Sequence, residues 1–362
     1  MKKLIGLIIS ILAITFQLYS QDNFPLSFSA GIDLYYAYDF NKPLDGDRQY
    51  VTQAARHNEF NLNWGFIKAS FNQEKIRANL ALHTGTYPQF NYALEPNDLT
   101  RLIAEANAGV RIIEKLWIDA GILPGHIGYG NTFSFDNEMY THSLLAENTP
   151  YYQTGIQLSW MVNDQFDVKF LVLNGWQNIA ETNSAKSAGI QLNFRPLDEL
   201  ELNYSNYLGN ESTVSGQKKI RFYNNFYTRF KIDEAWHVAA SVDYGTQEQW
   251  DNSDQGHIFG IMGLFQFRIN QRFHIAGRIE HFNDNKEILV STGTPNGFKN
   301  SNLGVTFDYI PVPYVKCRFE ARSFTAADDI YNSGENNSQN TFVLVGSIAL
   351  NLNKNIFNKE TP

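Results

Sequence analysis

Charged side chains in this sequence recur at alternate positions of segments whose other positions are apolar. The acidic set is Asp33, Asp39, Glu59, Glu105, Asp119, Asp167, Glu201, Asp243, Glu280, Asp308 and Glu320. The basic set is Arg77, Arg111, Lys169, Arg221, Arg229, Arg268, Arg278, Lys316, Arg318 and Arg322. A dry core holds so many ions only with near-complete pairing. The spacing therefore predicts a face in contact with water, and a chemistry of electrostatic selection rather than bond making. The bases concentrate after residue 219, and most of the acids precede it.

A third group lies outside the alternating segments. Residues 125–150 carry Asp136, Glu138 and Glu147 beside Tyr129, Phe133, Phe135 and Tyr140. This is the longest stretch with no strand pattern, and long connections in compact folds usually serve function. It leaves between the fifth and sixth of sixteen segments. In a closed ring the opposite wall is the thirteenth and fourteenth, flanked by the twelfth and fifteenth, where Arg278 and Arg322 lie. The expectation is an inward fold that sets Asp136, Glu138 and Glu147 against Arg278 and Arg322 as a pore constriction. Arg77, Glu105, Arg111, Arg221, Arg229, Arg268 and Arg318 would line the rest of the lumen. The competing reading is an outward loop with solvated acids, the common place for loops.

Other chemistries find little support. His237 and Ser241 share a face but stand four residues apart, about 13 Å along a strand at about 3.3 Å per residue. That exceeds hydrogen-bond reach, and His83, His257 and His274 have no local partner, so no enzyme is expected. Asp251 and Asp254 lack the full spacing of a calcium loop. No phosphate-cradling glycine loop, metal-ligand cluster or dinucleotide fingerprint appears, and no cofactor is expected. The single cysteine, Cys317, excludes a disulfide framework and reads as a small buried hydrophobe. A formal charge of −8 with no exposed basic stripe argues against nucleic acid.

The elements that position these residues follow a period of two. In Leu26 to Phe40 every even position is apolar or aromatic, while Asp33 and Asp39 fall on the other face. That pattern is an extended strand between an apolar and a wet environment. It recurs at 26–40, 58–71, 75–87, 104–113, 116–124, 151–162, 166–176, 187–195, 200–208, 219–232, 236–246, 257–269, 272–282, 302–311, 314–324 and 341–352. The connections alternate strictly between short and long. The fold class is therefore all-β: a transmembrane, antiparallel, up-and-down β-barrel of about sixteen strands, with short periplasmic turns and long extracellular loops. A mean hydropathy of −0.34 is compatible with it, because only alternate residues meet lipid. So wide a ring encloses more space than side chains fill, and water is the expected occupant.

Aromatic residues mark two interfacial bands on the apolar parity. Trp160, Phe166, Phe194, Phe230, Trp236, Phe267, Phe273 and Tyr309 lie near short turns. Tyr36, Tyr38, Phe40, Tyr152, Trp176 and Tyr244 lie near long loops. The second strand changes parity between Phe66 and Ile67, which predicts a β-bulge near Gly65-Phe66.

At the N-terminus Lys2 and Lys3 precede an apolar run from Leu4 to Phe16, with Ser20-Gln21 as the cleavage point. Residues 1–20 are thus expected to be a secretory signal and 21–362 a single outer-membrane barrel. Loss of the two lysines takes the formal charge from −8 to −10.

Arg56 to Trp64 (RHNEFNLNW), Gly128 to Asn137 (GYGNTFSFDN), Ser143 to Gly155 (SLLAENTPYYQTG) and Asn174-Gly175-Trp176 resemble the OmpL-like β-barrel porins of Bacteroidota. The resemblance spans most of the mature chain. It implies a Gram-negative outer-membrane porin passing small polar solutes by passive diffusion, with membrane lipid as its surroundings. Its motifs are structural and name no solute, and a homo-oligomer stays open. The sequence departs from many outer-membrane barrels in ending on Pro362 rather than an aromatic residue, so Phe342 to Leu352 would carry the assembly signal internally. A structural or adhesin-like barrel with no open pore is the alternative.

Overall fold

The computed structural model describes residues 25–214, 217–248 and 255–352. The expected signal segment 1–20 and the Asp251/Asp254 pair lie outside the described residues. Sixteen long antiparallel strands form the wall: β1 (Leu26–Asp39), β2 (Phe60–Asn72), β3 (Ile76–Thr84), β4 (Ile103–Ile113), β5 (Leu116–Pro124), β6 (Tyr152–Met161), β7 (Phe166–Leu173), β8 (Ser187–Leu197), β9 (Leu200–Asn210), β10 (Ile220–Lys231), β11 (Trp236–Glu248), β12 (Gln255–Arg268), β13 (Phe273–Asp284), β14 (Phe298–Val312), β15 (Val315–Ala326) and, after a small hairpin of β16 (Tyr331–Ser333) and β17 (Asn336–Ser338), β18 (Asn340–Asn351). Each wall strand pairs with its neighbours in sequence, apart from the hairpin. β1 pairs with both β2 and β18 and closes the ring. Closure leaves no strand edge unpaired, which is what a sheet surrounded by lipid requires.

The sixteen expected strands are all present, and their connections alternate as read from the sequence. The short joints have two to four residues. Along β12, buried and exposed residues alternate without a break from Gly256 to Gln266 apart from a half-buried Gly263, as a wall with lipid on one side dictates. No helix among the described residues is long and apolar enough to cross a membrane.

The bulge in β2 sits earlier than the sequence placed it. Asp33 pairs with Trp64 and Leu34 with Leu62, so the extra residue is Asn63. Its side chain is buried, donating from Nδ2 to Asp33 Oδ2 at 2.8 Å and accepting from the Ala54 N–H at 3.1 Å. A polar residue with two interior partners fixes where the strand changes face. Trp64 and Phe66 therefore point into the barrel, whereas Ile67 faces out.

The outward aromatic bands are present, with pairs such as Trp236–Phe267 at 4.5 Å and Phe273–Tyr309 at 5.2 Å between ring centroids. Two assigned members leave the lipid face. Trp176 meets Tyr207 and Tyr223 edge-on, at 4.9 Å each, inside the core cluster. Tyr152 is buried against Tyr92 at 3.9 Å, under the connection 85–102. Both stand where a strand runs into a folded loop, so the loop rather than lipid supplies their apolar neighbour.

The interior is not uniformly wet. Towards the long loops, inward positions of the wall are apolar: Ile258, Met262, Phe282, Phe298, Phe324, Val343 and Val345 are all buried in one cluster. Met139, Tyr140, Leu144 and Leu145 of the 125–151 connection belong to the same cluster. The loops thus fill the space that the ring's width leaves at that end, and the water-filled expectation is confined to the end near the short turns.

Candidate functional site

The 125–151 connection folds into the barrel and crosses it. Near β8 and β9 the His126 ring bonds the Asn206 backbone carbonyl (Nε2, 2.8 Å) and the Gln153 side-chain oxygen Oε1 (Nδ1, 2.6 Å). Further along, Phe133 lies against Trp64 (5.5 Å) and Phe66 (5.3 Å), which the Asn63 bulge turned inward. Ser134 donates to Asp33 at 2.8 Å. A short helix, Leu144–Glu147, then rests on β12 and β13, capped by Ser143 Oγ accepting from the Ala146 N–H at 3.0 Å.

Three buried arginines of the opposite wall grip this segment by its backbone. Arg278 donates to the carbonyls of Thr141 (2.8 Å) and His142 (2.9 Å). Arg322 donates to Thr141 Oγ1 (2.7 Å) and the His142 carbonyl (3.0 Å). Arg318 reaches the carbonyls of Ser134, Asn137 and Met139. The wall's carboxylates take the complementary groups. Glu320 accepts from the N–H groups of Tyr140 (2.8 Å) and Thr141 (3.2 Å), and Glu280 from that of Leu144 (2.6 Å). The same carboxylates balance the arginines: Glu280 pairs with Arg322 at 2.7 Å and Arg278 at 3.2 Å, while Asp308 pairs with Arg318 at 2.8 Å. This near-complete pairing is the condition under which buried ions are tolerated.

The site proposed from sequence is therefore only partly assembled as drawn. The loop and the arginine wall meet, but Arg278 and Arg322 hold main-chain carbonyls rather than loop carboxylates. Glu147 points the other way, into the 41–57 connection, where Thr52 donates from its N–H (3.2 Å) and Oγ1 (2.7 Å). Burial pushes the Glu147 carboxyl up to about 7 and the neighbouring His142 imidazole down to about 3. Glu138 accepts from the Tyr129 hydroxyl at 3.0 Å. Asp136 lies at the exposed edge of the loop, its carboxyl raised by partial burial and lowered by Lys316 and Arg318 nearby.

The residues assigned to the lumen lining divide by height. Near the short turns, Arg77 pairs with Asp119 and lies over the Trp117 ring, and Arg111 pairs with Glu74 at 2.6 Å, whereas Glu105, at the long-connection end of β4, is buried and pairs with Lys68. Arg229 pairs with Glu201 at 2.6 Å and is half exposed, while Arg268 bonds Gln266 and the His237 ring. Apart from Glu105, these form an ionic, solvent-reached zone. Arg221 does not belong to it: it is buried beside Trp176 and donates to Gln247 at 2.8 Å. Arg318 is likewise buried beneath the loop.

Where the loop approaches β9 and β10 it leaves a polar cavity of about 170 Å³, lined by Tyr129, Asp136, Glu138, Glu201, Tyr227 and Arg229 among others. Here loop carboxylates face a wide space, whereas the space that Glu138 shares with Arg278 is only about 20 Å³. The sequence reading missed Glu280 and Glu320 as loop anchors and Thr52 as the partner of Glu147. Lumen parity marked the two glutamates, but nothing in a sequence marks a backbone N–H as a partner.

The family model described as "Putative beta-barrel porin-2, OmpL-like" matches residues 25–352. No curated protein matches the sequence. Among solved structures, an anion-selective porin from Comamonas acidovorans has a TM-score of 0.61 at 7% identity, covering 90% of this chain and 99% of that one. The outer membrane channel DcaP of Acinetobacter baumannii gives 0.59 at 9% identity, with 90% and 97% covered. OmpT of Vibrio cholerae in a trimer form gives 0.58 at 7% identity, with 90% and 98% covered. At these identities the likeness concerns the fold.

Proposed function

Because the chain belongs to the OmpL-like β-barrel porin family, we propose that it is an outer-membrane channel for passive diffusion of small polar solutes, narrowed by the inserted loop 125–151. One observation carries the reading: the loop is seated across the lumen by Arg278, Arg318 and Arg322, and it leaves a polar cavity against β9 and β10. A channel narrowed in this way sorts solutes by size and local field. The ionic zone near the short turns keeps the approach hydrated, since those pairs are reached by solvent. His237 and Ser241 bond different partners, Arg268 and Asn225, so no nucleophile–base pair forms between them.

The test is electrical. Full-length protein, refolded in detergent and inserted into a planar bilayer, should give discrete ohmic steps. Folded, heat-modifiable protein that stays silent would favour the structural or adhesin-like alternative.

Self-association is part of this proposal. The outward faces of β3, β4 and β5 carry no aromatic residue, and Ala78, Ala104, Ala106, Ala108 and Ala120 lie among them. The interfacial bands are thus interrupted in one sector, directly beneath the connection that exposes Leu94 and Leu99. A second copy packed there would replace lipid along a flat surface. Light scattering of the detergent complex should report more than one chain; a monomer would remove this part.

A further inference from the structure

The cavity between the inserted loop and the β9–β10 wall carries unbalanced charge. The loop contributes Asp136 and Glu138, and the wall contributes Glu201 and Arg229. Arg229 is committed to Glu201, donating from Nη2 to Oε2 at 2.6 Å, and Tyr227 donates to the other oxygen at 3.3 Å. Glu138 has only the Tyr129 hydroxyl, and among the described residues neither it nor Asp136 forms an ion pair within 4 Å. Two further cations stand near the loop carboxylates: Lys316 is buried over the Phe135 ring and donates to the Phe135 carbonyl, and Arg278, which borders a small space with Glu138, is paired with Glu280. Arg318 is paired with Asp308.

The walls between these charges are aromatic. Tyr129 and Tyr227 meet edge to face with centroids 5.4 Å apart. Ring faces attract cations, more strongly where water is partly excluded. The rim is held firmly: the Asn131 N–H donates to Asn137 Oδ1 and Asn137 Nδ2 donates to the Asn131 carbonyl, both at 2.7 Å. Asp136 and Glu138 flank that clamp, so their carboxylates are positioned before a solute arrives. The volume equals the share of about six waters of liquid, enough for one small ion or an ammonium head.

We infer that this cavity is a cation-selective filter that recognises ammonium-bearing solutes, such as alkyl diamines. The inference rests on the channel reading above and names the solute class of the same site. An anion entering here meets three carboxylates and a guanidinium already engaged. A primary ammonium finds acceptor oxygens and tyrosine faces.

The experiment measures reversal potential across a planar bilayer in a KCl gradient, with 1,5-diaminopentane as blocker and 1,5-pentanediol as its uncharged control. The expected result is a preference for potassium over chloride, and a current block by the diamine that the diol does not produce. In Asp136→Asn/Glu138→Gln the cation preference should fall by about tenfold, the lower end of what a focused field supplies, and the diamine block should disappear. Asp136→Asn alone serves if the double variant does not fold. Chloride preference in the wild type, or an unchanged ratio in folded variants, overturns the inference. An absence of conductance speaks against the channel reading instead. Calorimetric titration of detergent-folded protein with the diamine then decides: binding abolished by the double variant supports the site, and no binding overturns it.

Discussion

Glu320 on β15 accepts a hydrogen bond from the backbone N–H of Tyr140 at 2.8 Å, across 180 residues of chain. The same carboxylate takes the Thr141 N–H and the hydroxyl of Thr306. A wall residue thus does for an inserted loop what a neighbouring strand would do for a sheet edge. Replacing it with leucine leaves two buried N–H groups without acceptors, each costing about 1–3 kcal/mol. Glu320→Leu should therefore free residues 134–142 to amide exchange while the strands stay protected, and Glu320→Gln should do so less. Equal protection of Tyr140 in wild type and Glu320→Leu would remove the anchoring role.

Arg278 and Arg322 lie behind the loop, so their effect on conduction is mechanical. Arg278→Gln/Arg322→Gln should raise unit conductance by loosening the loop, with little change in ion preference at a fixed loop position. A large shift in reversal potential with unchanged conductance would mean instead that these guanidinium groups face the solute path.

The pH dependence of the loop seat follows from two groups at the 41–57 contact. His142 Nδ1 lies 3.9 Å from Glu147 Oε1 and 2.6 Å from the Tyr151 hydroxyl. Glu147, raised from 4.5 to about 7, favours the seated loop when protonated; its contribution is complete below pH 4.5 and lost as pH rises through 7. His142, lowered from 6.5 to about 3, favours the seated loop when neutral; its contribution is complete above pH 6.5 and lost as pH falls towards 3. The two slopes oppose each other between pH 4.5 and 6.5, so wild-type loop protection should be nearly flat there. Glu147→Gln should expose the histidine slope, with protection rising steadily from pH 3 to 6.5. Loop amide exchange measured across that range checks this, and a flat profile in Glu147→Gln would refute it.

The Asn63 bulge gives a stability prediction. Asn63→Ala leaves the Ala54 N–H without its side-chain acceptor and removes one of the two donors to Asp33 Oδ2, a loss of about 1–3 kcal/mol. Deleting Asn63 should be worse, because Trp64 and Phe66 would turn to the lipid and abandon Phe133. Heat-modifiability on gels should show a lower unfolding temperature for the first variant and failed folding for the second. Normal folding of the deletion would mean that the bulge does not set the register.

What was legible in the sequence was what repeats. Each strand carries its two faces in its own letters, so the wall, its closure and the arginine-bearing wall opposite residues 125–150 could be read by parity and by counting around a ring, while the loop's inward course stood beside an outward alternative. What was hidden depended on particular contacts. The bulge near Gly65-Phe66 was placed late because Trp64 and Phe66 share the parity of Phe60 and Leu62, an aromatic looks alike beside lipid and beside Phe133, and only the partners of Asn63 tell the two apart. Trp176 and Tyr152 went the same way. Arg278 and Arg322 were found as residues but given the wrong partner, because a backbone carbonyl of Thr141 or His142 has no side-chain signature. Glu147 looked like its neighbours Asp136 and Glu138, yet its place on the Leu144–Glu147 helix turns it towards Thr52.

The most direct test of the account is the unit conductance of the wild type beside a variant with residues 128–141 replaced by a short glycine-serine link. The wild type should show small ohmic steps, and the shortened loop should enlarge them severalfold while the barrel keeps its heat-modifiable fold. Identical steps from both proteins, or no steps from either, would contradict a channel narrowed by this loop.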